Sequence, residues 1–115
     1  MSLVGALELV RVRVRDLAAA RGFYGDTLKL ALVAADAAIA VYDTGQAKLV
    51  LEQDAAAAPG TIELGFTVAS LETALAALVA ADVRVVVPPK TEAWGGRTAL
   101  VADPDGNRLA LIQYP

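Results

Sequence analysis

The chain repeats itself, and that repeat limits its fold more than any single motif does. An offset of 54 residues carries Val14-x-Asp16-Leu17 onto Val68-x-Ser70-Leu71. An offset of 60 carries KLVLEQ (48–53) onto RLALIQ (108–113), with both leucines and the glutamine shared. Residues 7–14 alternate with period 2, which predicts a strand sending Val10, Val12 and Val14 to the core and Leu9, Arg11 and Arg13 to the other face. Asp16 stands where a helix N-cap belongs, and LAAARGFYGDTL follows with Leu17, Ala20, Phe23, Tyr24 and Leu28 on one buried stripe. Three strands are predicted next, at 30–34, 38–43 and 47–53. The second copy reads the same way: a strand at 61–68, Ser70 as cap, a helix at 71–81, then strands at 83–88, 97–103 and 108–114. AAAAPG (55–60) reads as a linker, because Pro59-Gly60 breaks any helix that the alanines begin.

Each copy of roughly 55 residues is too small to bury a good core alone, so the two are expected to pack as a single domain over 1–115, with modules at 1–54 and 61–115. The composition is 57 % hydrophobic and 20 % charged, which fits a globular chain rather than a disordered one. No apolar run approaches the ~20 residues of a membrane span, and the start shows no signal-peptide pattern. A net charge of −3 gives no basic field for nucleic acid. The absence of cysteine excludes disulfides and zinc–thiolate sites, and fits a cytoplasmic setting. Histidine is absent too, which removes the commonest metal ligand and the commonest general base at neutral pH. There is no phosphate-binding glycine loop and no nucleophile elbow.

Two segments, VRDLAAARGFYGDTLKL (14–30) and WGGRTALVADPDGNRLALIQ (94–113), resemble the glyoxalase/bleomycin-resistance/dioxygenase (vicinal oxygen chelate) superfamily. Lys29 replaces the glycine usual in the first. The resemblance implies an α+β fold: two tandem βαβββ modules forming a cup-shaped mixed sheet, with helices outside, the ligand within and a homodimer as the usual assembly. In metal-dependent relatives four inward side chains, mostly His and Glu, hold a divalent cation. Carried over to this sequence, those slots fall on Leu9, Glu63, Ala110 and either Val50 or Glu52. Leucine and alanine carry no donor, so neither metal nor cofactor is expected.

Alternation assigns the remaining inward positions. They are Arg11 and Arg13 on the first strand, Ala40 and Tyr42 on the third, Lys48, Val50 and Glu52 on the fourth, and Glu63, Gly65 and Thr67 on the fifth. The eighth strand adds Arg108, Ala110 and Ile112, and Trp94 and Arg97 fall in a loop near the rim. The ligand-binding candidates are therefore Leu9, Arg11, Arg13, Tyr42, Val50, Glu52, Glu63, Trp94, Arg97, Ala110 and Ile112. Arg11 and Arg13 either pair with Glu52 or Glu63 in a binding site, or simply form the wet face of a half-exposed strand. DPDGN is read as a turn with no chemical role.

Three functional readings follow. The first is a metal-free protein that sequesters a small organic molecule, an antibiotic or metabolite, with the arginines favouring carboxylate, phenolate or carbonyl groups. The second is a lyase- or isomerase-type enzyme using Glu52 or Glu63 as acid or base on a carbonyl substrate. The third is a non-catalytic dimeric module whose cup is plugged by its own salt bridges.

Overall fold

In a computed structural model of the protein, which describes residues 9–58 and 62–115, the two copies fold alike. Residues 7–8 of the first alternating run, and Pro59, Gly60 and Thr61, lie outside the described residues. The chain divides into two compact units, the first ending at Ala57 and the second beginning at Ala58. The first unit runs β1 (Leu9–Val14), α1 (Leu17–Arg21), a π-helical turn (Gly22–Thr27), β2 (Ala31–Ala35), β3 (Ile39–Asp43) and β4 (Lys48–Gln53). The second runs β5 (Glu63–Thr67), α2 (Leu71–Ala80), β6 (Arg84–Thr91), β7 (Arg97–Ala102) and β8 (Arg108–Gln113). Each forms a four-stranded mixed sheet, in the orders β1-β4-β3-β2 and β5-β8-β7-β6. The β1–β4 and β5–β8 pairs are parallel and the others antiparallel. This is the α+β architecture of two βαβββ modules that the resemblance implies.

The period-2 pattern decides which face each sheet buries. In the first unit Val12, Val14, Leu49 and Leu51 pack beneath Leu17 and Ala20 of α1, together with Phe23 and Tyr24, all buried. The Phe23 and Tyr24 rings meet edge to face, 5.0 Å apart. In the second unit Ala99, Val101, Leu109 and Leu111 are buried, as are Leu71 and Leu78 of α2.

The glutamine shared by the two copies has a structural reason. The Leu17 backbone N–H donates to Gln53 Oε1 at 2.7 Å, and the Leu71 N–H donates to Gln113 Oε1 at 2.7 Å. Each glutamine thus satisfies a first-turn amide that no intrahelical carbonyl can reach. Asp16 and Ser70 cap the same helix starts, accepting from Ala19 N–H and Thr73 N–H. Gln53 also donates to the Arg15 carbonyl at 2.7 Å, fastening the end of β1 to that of β4.

Two boundaries differ from the sequence expectation. The helix predicted through Leu28 widens into the π turn after Arg21, with Leu28 N–H reaching back five residues to the Phe23 carbonyl. Strand β6 continues through Pro88-Pro89 to Thr91 instead of ending there. It is an edge strand with register shifts, so the two missing N–H groups interrupt no ladder that the sheet needs.

Lys29 follows the π turn with φ 61°, in the left-handed region where a side chain is strained. Lys29→Gly is therefore expected to stabilise the protein by about 1 kcal/mol. Urea unfolding checks this as a raised midpoint at unchanged slope.

Candidate functional site

Strand register fixes which side chains share the face opposite α1. β1 pairs Leu9, Arg11 and Arg13 with Lys48, Val50 and Glu52 of β4, and β3 places Asp43, Val41 and Ile39 opposite those same three residues. The face therefore carries Leu9, Arg11 and Arg13, Lys48, Val50 and Glu52, and Ile39, Val41 and Asp43. This corrects the expectation for the third strand. Ala40 and Tyr42 lie opposite Leu51 and Leu49 on the helix-packed face and are 0 % and 2 % exposed. The Tyr42 ring fits there because Gly25 presents no side chain above it. A Cβ on Gly25 would sit 3.2 Å from the Tyr42 hydroxyl.

Arg11 and Arg13 converge on one oxygen. Arg11 Nη1 and Arg13 Nε each lie 3.8 Å from Glu52 Oε2. Both separations are too long for a hydrogen bond, so neither guanidinium spends an N–H on this carboxylate. The side chains are 45 %, 68 % and 34 % exposed for Arg11, Arg13 and Glu52, so these pairs add little stability. Two cations share one anion, and the face keeps donors and positive charge for something else.

In the second unit, β5 pairs Glu63, Gly65 and Thr67 with Arg108, Ala110 and Ile112 of β8, and β7 adds Ala102, Leu100 and Thr98 to that face. Ile112 leans over the bare backbone of Gly65. Arg97 is not among them. It pairs with Gln113, on the opposite parity, and its Nη1 bonds Glu72 Oε1 of α2 at 2.7 Å. Its buried Nε has no hydrogen-bond partner among the described residues. Arg97 is thus a strand-to-helix tie rather than a rim residue.

Trp94 stands in the β6–β7 hairpin, 51 % exposed and 5.4 Å from the Tyr114 ring. It folds back over Gly96, where a Cβ would come within 2.0 Å of the indole. In the same hairpin the Thr98 hydroxyl donates to Glu92 Oε1 at 2.6 Å, and Lys90 Nζ lies 3.5 Å from that oxygen. The Thr98 bond, helped by the Lys90 charge, holds the Glu92 carboxyl below its ordinary value. A depressed carboxyl stabilises the fold above its ordinary value, and that contribution fades as pH falls through the lowered one. Thr98→Val is expected to return Glu92 toward the ordinary value in an NMR pH titration. An unmoved titration would assign the shift to Lys90 instead. Asp36, in the β2–β3 turn, is lowered likewise by the Ala38 and Ile39 backbone N–H groups.

DPDGN is a turn, as expected, but a buried one. Asp103, Asp105 and Asn107 are only 5 %, 5 % and 2 % exposed. Asp103 accepts from the Asp105 and Asn107 backbone N–H groups at 2.9 and 2.8 Å, and from Asn107 Nδ2 at 3.1 Å.

The registers also align the two units residue by residue. Leu9 lies beside Lys48 as Glu63 lies beside Arg108, so Val50 is the counterpart of Ala110 and Glu52 that of Ile112. In the first unit these positions, Leu9 and Val50, carry no donor; in the second, Glu63 carries a carboxylate and Ala110 carries none. Glu52, the alternative, already faces two guanidinium groups. Neither unit's pair by itself offers the oxygen ligands that a divalent cation needs. No group of three or more His, Cys, Asp or Glu side chains gathers as a metal set among the described residues.

Comparison with solved structures gives the same architecture. TnmS3, an antibiotic-binding protein from a Streptomyces species, is 28 % identical with a TM-score of 0.86, over 100 % of both chains. A superfamily member from Sphaerobacter thermophilus is 21 % identical with a TM-score of 0.82, covering 98 % of this chain and 100 % of that one. A lactoylglutathione lyase from Agrobacterium tumefaciens is 19 % identical with a TM-score of 0.82, covering 96 % and 94 %. No curated protein matches the chain in sequence. The family model of the Glyoxalase/Bleomycin resistance protein/Dioxygenase superfamily matches residues 6–111. With that match over nearly its whole length, and with the repeated βαβββ topology, the chain belongs to this superfamily.

Proposed function

We propose that this protein binds a small organic molecule bearing a carboxylate, phenolate or carbonyl group at Arg11 and Arg13, without a metal ion and without chemical turnover. The observation that carries the reading is the pair of guanidinium groups sharing a single Glu52 oxygen at 3.8 Å, which leaves directed N–H donors and excess positive charge on one sheet face. The metal slots support it, since Leu9, Val50 and Ala110 offer no donor. The similarity to TnmS3, described as antibiotic-binding, supports a sequestering role.

Self-association is part of the reading. β2 is an edge strand whose five residues, Ala31–Ala35, are all exposed and carry neither charge nor proline, and such an edge invites a partner strand. Light scattering after size exclusion is expected to give twice the chain mass of 11.9 kDa.

A thermal-shift screen tests the binding claim, using salicylate, a panel of antibiotics, and magnesium and manganese chloride as separate arms. Stabilisation by an anionic or carbonyl-bearing organic compound, with none by either metal, is the expected outcome. A rise of several degrees with metal alone would overturn the metal-free reading. Turnover of lactoylglutathione or a catechol would replace binding with catalysis.

A further inference from the structure

We propose a second small-molecule site in the first unit, on the helix-packed side of its sheet, that takes a small zwitterion with an aliphatic body, an amino acid of the leucine type. It does not involve Arg11 or Arg13 and does not depend on the reading above. The site is an open pocket of about 430 Å³ between α1, the π turn, and strands β2 and β3. Its volume falls in the usual range for small ligands.

The pocket exists because the π turn is wide and bare. Gly22 and Gly25 both line it, and a Cβ on Gly22 would meet nothing within 4 Å. Tyr42 lines it too. Its ring is 98 % buried, yet its hydroxyl makes no hydrogen bond to any described residue. That oxygen is not itself fully buried but opens onto the pocket, where it can bond a polar group that enters.

Two opposite charges border the same space. Arg21 and Asp26 are exposed, five residues apart on a turn whose hydrogen bond also spans five, and no ion pair occupies either among the described residues. An ion with one sign of charge would meet one of them favourably and the other unfavourably. A zwitterion satisfies both, its carboxylate toward Arg21 and its ammonium toward Asp26. Ala18, Leu30 and Leu32 complete the lining and suit an aliphatic side chain.

NMR titration of the full chain with L-leucine tests this, alongside 4-methylpentanoate, which lacks the amine, and 3-methylbutylamine, which lacks the carboxylate. L-Leucine is expected to shift backbone amides between residues 18 and 32 saturably, and each analogue to bind at least about tenfold more weakly. Gly22 has ordinary helical angles, φ −59° and ψ −42°, so Gly22→Leu places a side chain in the pocket without backbone strain. That variant is expected to lose binding while the amides of the second unit keep their positions. Tyr42→Phe is expected to weaken L-leucine roughly fivefold. If Gly22→Leu does not fold, the exposed Arg21→Ala and Asp26→Asn keep the test, each with about a fivefold or larger loss. Three results would overturn the proposal: no saturable shift up to about 20 mM L-leucine, equal binding of either analogue, or unchanged binding in a folded Gly22→Leu.

Discussion

Asp103→Ala is expected to destabilise the protein by about 3–5 kcal/mol, because it strands three donors at once. The Asp105 and Asn107 backbone N–H groups and the Asn107 side-chain amide all give their hydrogen bonds to this one carboxylate. Water cannot readily replace it, with Asp103, Asp105 and Asn107 each at most 5 % exposed. Each buried donor left without an acceptor costs about 1–3 kcal/mol, and the three are not independent. Asp103→Asn should cost less, about 1–2 kcal/mol. Its amide oxygen still accepts from the backbone, and its new N–H₂ faces a neighbour, Asn107, whose Oδ1 lacks a partner among the described residues. Urea unfolding of both variants separates the cases. Equal losses would mean that the charge of Asp103, rather than its acceptor geometry, holds the turn.

The second large effect is on binding. Removing both guanidinium groups, Arg11→Ala with Arg13→Ala, should weaken salicylate or a screened antibiotic about a hundredfold, or about 2.8 kcal/mol. Each charge-assisted hydrogen bond contributes about 1.5–3 kcal/mol. Folding stability should move by less than about 1 kcal/mol, because both arginines are exposed and their Glu52 pairs are long. Glu52→Gln gives the complementary result. Without the competing carboxylate both arginines turn fully to the ligand, and affinity for an anion should rise severalfold. Loss of binding in Glu52→Gln would instead make Glu52 a ligand contact. Unchanged affinity in the double arginine variant, measured by calorimetry, would remove Arg11 and Arg13 from the site and leave them as the wet face of a strand.

Much of this architecture was legible in the residues, for reasons that differ by strand. β1 reveals its phase because arginine and valine alternate, and β4 and β8 reveal theirs because the repeat aligns them to the residue. β3 does not. Ile39-Ala40-Val41-Tyr42 is apolar at every position, so alternation gives a strand without saying which face is which. Hydrophobicity favoured Ile39 and Val41 for the core. Packing chose Ala40 and Tyr42, since a large ring fits beneath Gly25 and the register with Leu49 and Leu51 then follows. Arg97 failed for another reason: a charged residue beside a glycine turn looks like a rim group until its strand partner, Gln113, and its helix partner, Glu72, are known. The π turn left only the spacing Gly22-x-x-Gly25 as a sign, which is too short to separate a wide helical turn from an ordinary helix end.

The paired glutamines also bear on the order in which the molecule can be made. Gln53 reaches Leu17 across 36 residues and Gln113 reaches Leu71 across 42. By loop-closure entropy these two spans differ by only about 0.1 kcal/mol, so neither half is favoured to close first on that ground. In each half the first strand finds its neighbour within the sheet only when the last strand arrives. A chain growing from its N-terminus therefore holds β1 unpaired until β4 has emerged, and repeats that wait with β5 and β8. Synthesis proceeds as two latches thrown in succession, each completed by its final strand. A ribosome-stalled chain ending before Lys48 should remain protease-sensitive throughout, and protection of β1 should appear only in chains extended past Gln53.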